Sequence, residues 1–156
     1  MIGLISDTHG LLREEAVVRL EGSELIIHAG DVGKPEILEA LRRIAPVVAV
    51  RGNIDHDESL PLTAAVEAGG RRILVLHNLA ELALDPAAAG FHAVVSGHSH
   101  RPARIECNGV LYINPGAAGP RRFRLPVTVA LLDAKAQPPT VEFCDVSGAN
   151  RPVEVA

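Results

Sequence analysis

The chain has 156 residues, of which 47% are apolar and 22% charged, and its formal net charge is −4. That balance fits one globular domain, residues 1–156, with a substantial core, and it excludes a disordered chain. With only Phe91, Tyr112, Phe123 and Phe143 as aromatics and an excess of acid, the chain has neither a stacking platform for bases nor a broad basic footprint, which argues against extended nucleic acid as a partner.

The chain opens on MIGLIS, a short run of branched apolar residues that reads as a buried strand and is followed at once by DTH at Asp7 to His9. In LLREEAVVRLEG, Leu11, Leu12, Ala16, Val17 and Leu20 fall near helical spacing, with Gly22 as the stop. A second strand, LIIHA, leads to Gly30 and Asp31. Next, PEILEALRRIA places Pro35 in a first helical turn and Ile37, Leu38, Leu41 and Ile44 on one face. A third strand, VVAV, leads to Gly52 and Asn53. Right-handed crossovers make these first strands parallel, with helices packed outside.

Beyond Asn53 the pattern shifts to strands. LTAAVEA and RRILVLH surround Gly69 and Gly70 as a hairpin whose second strand ends at His77. Between His77 and Ser96, Pro86 and Gly90 leave room for little regular helix. The strand AVVS then delivers GHSH, Gly97 to His100. Four more strands, ARIEC, VLYIN, VTVALLDA and TVEFCDV, follow with turn signals at Asn108–Gly109 and Pro138–Pro139. Residues 150–156 read as a tail.

Five of these strands end in metal-ligand chemistry, and strand ends of an open α/β sheet lie side by side where ligands bind. The residues expected to converge are Asp7, His9, Asp31, Asn53, His77, His98 and His100. Such a mixed oxygen and imidazole set suits Mn, Fe, Ni or Zn and suits Ca or Mg poorly. Seven ligands exceed the three or four of one catalytic zinc, so two cations is the economical reading. Singly, each residue has a plainer role: DTH as a polar turn, Asp31 as a helix cap, Asn53 as a turn residue, His77 as a satisfied histidine at a buried edge. Only the ensemble overturns these.

In this order, DxH, GD, GN, a lone His after a strand and GHxH, the chain resembles the calcineurin-like metallophosphoesterases from Met1 to about Arg121. GDVG, GNID and NPG at Asn114 to Gly116 are most similar to the small phosphodiesterase branch, which includes the scaffold subunit of the retromer coat. The resemblance implies a four-layer α/β/β/α sandwich of two mixed sheets flanked by helices. It implies that Asp7, His9 and His100 serve a first metal, that Asn53, His77 and His98 serve a second, and that Asp31 bridges them. Mn is the expected metal, with Zn, Ni or Fe as alternatives. The reaction it implies is hydrolysis of a small phosphodiester or nucleotide-like substrate, by in-line attack of a bridging hydroxide whose pKa two cations lower towards 7.

The departures from that pattern carry expectations of their own. Ile54 stands where much of the superfamily has a His thought to assist the leaving group, so cleavage should depend on leaving-group pKa unless His56 or Asp57 donates a proton. Asn78 replaces a common Gly and threatens to shift His77, and Ala117 replaces a common Ser. Asp55 keeps the branch's acidic position. His28 is either a support for a ligand or a packed core histidine, and His92 is a surface or edge residue. Arg121, Arg122 and Arg124 read as a solvated basic turn, with a guanidinium on a phosphate oxygen as the alternative.

Two rivals compete with hydrolysis: a metal-binding or inactive scaffold that recruits partner proteins, and a nucleic-acid-processing subunit. Retention of all seven ligands disfavours the first, and the second would need a basic groove and an added domain, neither of which is visible in the sequence. Without a basic leader or a run of roughly 18 apolar residues the chain is expected in the cytoplasm, with no membrane contact. Cys107 and Cys144 fit no zinc or redox spacing and are expected as thiols. A homo-oligomer is compatible with the chain.

Overall fold

The computed structural model describes residues 1–155. Ten strands form two five-stranded mixed sheets. The first has the order β10-β9-β1-β2-β3, with β1 at Ile2–Ile5, β2 at Leu25–His28, β3 at Val47–Ala49, β9 at Thr128–Asp133 and β10 at Thr140–Asp145. The second has the order β4-β5-β6-β8-β7, with β4 at Thr63–Ala68, β5 at Arg71–Leu76, β6 at Ala93–Val95, β7 at Ala103–Cys107 and β8 at Val110–Asn114. As the apolar runs imply, β1, β2 and β3 pair in parallel, Ile5 opposite His28 and His28 opposite Ala49. β5, β6 and β8 also pair in parallel.

Branched residues on the facing sides of both sheets, among them Leu4, Ile27, Ile73, Val95, Ile113 and Leu132, bury one another in the central core. A second cluster lies between the first sheet and helices α1 (Glu14–Leu20) and α2 (Pro35–Arg42), which insert Ala16, Leu20, Leu38 and Leu41. The outer face of the second sheet is different. Leu74, Leu76, Phe91 and Val94 are covered by loops and by one 3₁₀ turn at Leu79–Glu81. The sandwich is the expected one, with its fourth layer reduced to that turn. Pro86 opens a tight turn closed by Gly90, leaving no length for a helix.

Helix α1 starts later than the spacing of Leu11 and Leu12 suggests. The Gly10 and Leu11 amides donate to the carbonyls of Val32 and Thr8, at 2.8 and 2.9 Å, so they stay outside the helix, which starts at Glu14. Cys107 is exposed, Cys144 is buried, and both are free thiols. Among the described residues no helix is long and apolar enough to cross a membrane.

Candidate metal centre

The loops leaving β1 and β2 are zipped beyond the ends of their strands. The amides of Asp7 and His9 donate to the carbonyls of Gly30 and Asp31, at 3.0 and 2.9 Å. The backbone bends that turn these loops into one cleft lie in the ligands themselves. Asp7 (φ 54°), His9 (φ 45°), Asp31 (φ 56°), His98 (φ 71°) and His100 (φ 62°) all adopt the left-handed backbone region. Each such residue costs on the order of 1–3 kcal/mol, a strain that surrounding structure must hold and that clusters at functional sites. Two glycines admit the convergence. A Cβ on Gly52 would strike Asp31 Oδ1, and one on Gly97 would strike Ser6 Oγ and sit 2.6 Å from Asp7 Oδ2.

The carboxylates come from the first sheet and most of the imidazoles from the second. His100 Nε2 lies 3.3 Å from Asp7 Oδ1, and His77 Nε2 lies 3.3 Å from Asp31 Oδ2. His9 Nε2 stands between the acids, 3.6 Å from Asp7 Oδ1 and 3.5 Å from Asp31 Oδ2. Two ligand groups result, Asp7 with His9 and His100, and Asp7 with Asp31 and His77, each with its atoms within 4.8 Å of one another.

Each carboxylate gives one oxygen to the protein and leaves the other facing the cluster. Asp7 Oδ2 accepts from Ser6 Oγ (2.6 Å) and from the His98 amide (3.1 Å), which ties the second sheet to the first. Asp31 Oδ1 accepts from the Ile54 amide at 3.0 Å. By contrast Asp7 Oδ1, His9 Nε2, His77 Nε2 and His100 Nδ1 are buried without a hydrogen-bond partner. Buried polar atoms are seldom left so, because each costs about 1–3 kcal/mol. Ligands about 2.0–2.1 Å from a zinc ion stand roughly 3–4 Å apart, and the separations here match. The residues therefore fit divalent cations.

Burial alone would raise the Asp31 carboxyl, but His77, the Ile54 amide and His9 outweigh it and lower it to about 2. For Asp7, burial is likewise outweighed by His100, Ser6 and His77, and its carboxyl falls below the ordinary value. Burial pushes His77 down, yet the Asp31 carboxylate and the Ala29 carbonyl carry it above its usual range. His77 Nδ1 lies 2.7 Å from that carbonyl and donates to it, so a neutral ring presents the lone pair of Nε2 to the cluster. Asn78 does not displace this ring. Its side chain turns away and caps the 3₁₀ turn, accepting from the Ala80 amide at 3.1 Å.

Five expected ligands, Asp7, His9, Asp31, His77 and His100, thus come together. The other two stand exposed at the rim. The His98 ring is edge-on to His77 with centroids 5.3 Å apart, and Asn53 sits between Gly52 and Ile54, which both touch Asp31.

Of the residues that brace these ligands, only His28 had a supporting role among its expected readings. The Asp55 carboxylate accepts from the amides of Val32 (3.2 Å), Gly33 (3.1 Å) and Gly52 (2.9 Å), clasping the loops after β2 and β3. Asn114 donates to Gly97 O (2.9 Å) and Ser99 Oγ (3.0 Å) and accepts from the Gly116 amide, bracing the GHSH loop. His28 is wholly buried and supports neighbours of ligands. Its Nδ1 accepts from the Gly30 amide, so Nε2 donates to Thr8 Oγ1 (3.0 Å), which in turn donates to Val32 O. Burial lowers the His28 ring to about 4. His56 is exposed, Asp57 caps Ser59, and His92 accepts from the Arg72 amide on the surface.

Comparison with known proteins identifies the family and the fold. The model of the calcineurin-like phosphoesterase superfamily domain matches residues 1–137. A probable metallophosphoesterase of Methanocaldococcus jannaschii is 35% identical over 130 residues, covering 75% of this chain and 67% of that protein. Among solved structures, an archaeal phosphodiesterase superposes with a TM-score of 0.78 at 23% identity, over 91% of this chain and 98% of its own. The zinc complex of Vps29 from Entamoeba histolytica superposes with a TM-score of 0.72 at 20% identity, over 94% of this chain and 99% of its own.

Proposed function

Because the chain belongs to the calcineurin-like phosphoesterase superfamily, whose metallophosphoesterases use divalent metal ions, we propose that it hydrolyses small phosphodiesters with two transition-metal ions held between its sheets. The observation that carries this reading is the set of buried, unpaired ligand atoms Asp7 Oδ1, His9 Nε2 and His77 Nε2, which face one another with His100 Nε2 3.3 Å from Asp7 Oδ1. Cations bound there would offset charge on phosphoryl oxygens and acidify a water for in-line attack.

The chain's own residues supply the rest. His9, His100 and Asp7 would hold one cation; His77 and Asp31, with the rim residues His98 and Asn53, would hold the other. Asp31 Oδ2, between His9 and His77, is the atom available to both. Ser6 and the His98 amide fix Asp7, and the Ala29 carbonyl fixes the His77 tautomer. Ile54 supports Asp31 with its amide and has no proton to donate, so departure of an alkoxide lacks a positioned acid.

Metal quantification after loading with Mn or Zn should approach two equivalents per chain. A panel of phosphomonoesters, linear diesters and cyclic nucleotides should show turnover of diesters that chelation abolishes. Aryl diesters should be cleaved faster than alkyl ones, since general acid assistance is worth about 10²–10⁴-fold where present. One equivalent of metal, or hydrolysis of monoesters alone, would overturn the reading.

A further inference from the structure

A groove of about 500 Å³ lies beside the carboxylate and imidazole cluster and not over it. Three segments distant in sequence build it: Arg101–Pro102, the turn from Arg121 to Val127, and residues 145–155. Four guanidinium groups, Arg101, Arg121, Arg124 and Arg151, surround it against two carboxylates, Asp145 and Glu154. All four arginines are exposed, and among the described residues none makes an ion pair. In a chain of net charge −4 this is a local excess of positive charge.

The groove is anchored to the metal centre at two points. Arg101 directly follows His100, and consecutive Cα atoms are about 3.8 Å apart. Arg121 follows Gly119 by two residues, and the Gly119 amide donates to Asp7 O at 3.3 Å while Arg13 Nε holds the Gly119 carbonyl at 3.3 Å. Arg101 and Arg121 thus sit on segments that also meet the cluster, and Arg124 and Arg151 line the same groove.

We propose that this groove binds a second phosphate group of the substrate, so that the preferred substrates are small phosphodiesters that carry an additional phosphate, as a terminally phosphorylated dinucleotide does. The proposal rests on the phosphodiesterase reading above. Guanidinium groups pair with phosphate oxygens through parallel hydrogen bonds. The volume lies within the roughly 300–1,000 Å³ of small-molecule sites, which suits a nucleotide and not a long strand.

The test has two arms. In the first, inorganic pyrophosphate and thymidine 3′,5′-bisphosphate are titrated calorimetrically into the metal-stripped full chain and into the metal-stripped Arg121→Ala/Arg124→Ala variant. Both ligands should bind the parent, more weakly as salt rises, and bind the variant about tenfold less tightly or worse, as expected for lost hydrogen bonds between charged groups. In the second, the metal-loaded parent and variant are given matched p-nitrophenyl thymidine 5′-phosphates with and without a 3′-phosphate. In the parent the added phosphate should raise kcat/KM about tenfold, chiefly through KM, and in the variant the ratio should fall towards one. Equal binding by parent and variant would overturn the proposal, as would tighter binding of a poly-aspartate peptide than of pyrophosphate, which would assign the groove to an acidic protein segment. If neither diester is turned over, the hydrolytic reading fails, while the first arm still decides whether the groove takes phosphate.

Discussion

The two sheets contribute to the centre in different chemical currencies. The first, backed by α1 and α2, contributes both carboxylates and one imidazole, while the second, backed only by loops and a 3₁₀ turn, contributes two imidazoles and the rim residue His98. Neither half holds a complete ligand group, since both groups draw on both sheets. Acidic strand ends brought together alone would repel. Imidazoles alone would attract a cation without offsetting its charge. The site exists only where the Gly97 backbone meets Ser6 and Asp7, so cation affinity reports directly on sheet packing.

The sharpest way to break this complementarity is Asp31→Ala. It removes the oxygen that faces both His9 and His77, and it leaves those two imidazoles only Asp7 Oδ1, 3.6 and 4.0 Å away. Loss of a residue that merely supports a ligand costs about 10–100-fold in metal affinity, and Asp31→Ala should exceed that for both cations. Metal titration of the variant, with a melt showing that it folds, is the measurement. Retention of either cation at parental affinity would show that the halves act independently.

The next effect concerns the first sheet alone. Folded, His28 stays neutral down to about pH 4, whereas in the unfolded chain it takes up a proton near 6.5. Between those values the unfolded chain binds more protons, so stability is full above pH 6.5 and falls as the pH drops towards 4, by on the order of 3 kcal/mol in all. His77 on the second sheet has the opposite sign. Its raised value adds stability that is full below pH 6.5 and lost as pH rises through its folded pKa. The window for Asp31 lies lower, between 3.8 and about 2. Urea melts of the metal-stripped protein at pH 7.5 and 4.5 should therefore show a smaller acid loss in His28→Gln than in the parent. Equal losses would remove His28 as the titrating group.

What the sequence made legible follows the same division. Each ligand follows a run of branched apolar residues, so strand ends, parallel pairing and convergence could be read from a short stretch of chain. The hairpin at Gly69–Gly70 and the lack of a helix around Pro86 were legible for the same local reason. The start of α1 was not, because the Gly10 amide is claimed by Val32, 22 positions further along. Left-handed backbone at Asp7, His9, Asp31, His98 and His100 was also hidden, since these residues accept it only where tertiary contacts impose it. Asp55 in GNIDHD stood out only as the branch's acidic position, without a role, because the amides it gathers lie up to 23 residues away. The arginine groove joins three segments, and only its turn at Arg121 to Arg124 stood out in the sequence, chiefly as a solvated basic turn.

The smallest expected effect compares the clasps that brace each half. Asp55 holds three amides of the carboxylate half, and Asn114 holds Gly97 O and Ser99 Oγ of the imidazole half. Neither touches the ligand atoms, so Asp55→Ala and Asn114→Ala should each weaken cation binding by about 10–100-fold and leave the number of bound ions unchanged. Their effects on folding should differ. Asn114 is buried, and its loss strands the Gly97 carbonyl and the Gly116 amide away from water, costing about 1–3 kcal/mol. Asp55 is only half-buried, and water can reach part of what it leaves behind, so its cost in stability should be smaller although it makes more bonds. Paired denaturant melts of the two metal-stripped variants measure that difference. Should Asp55→Ala prove the less stable, the carboxylate loops are held chiefly by their clasp, and the helix-backed sheet beneath them contributes less than the packing indicates.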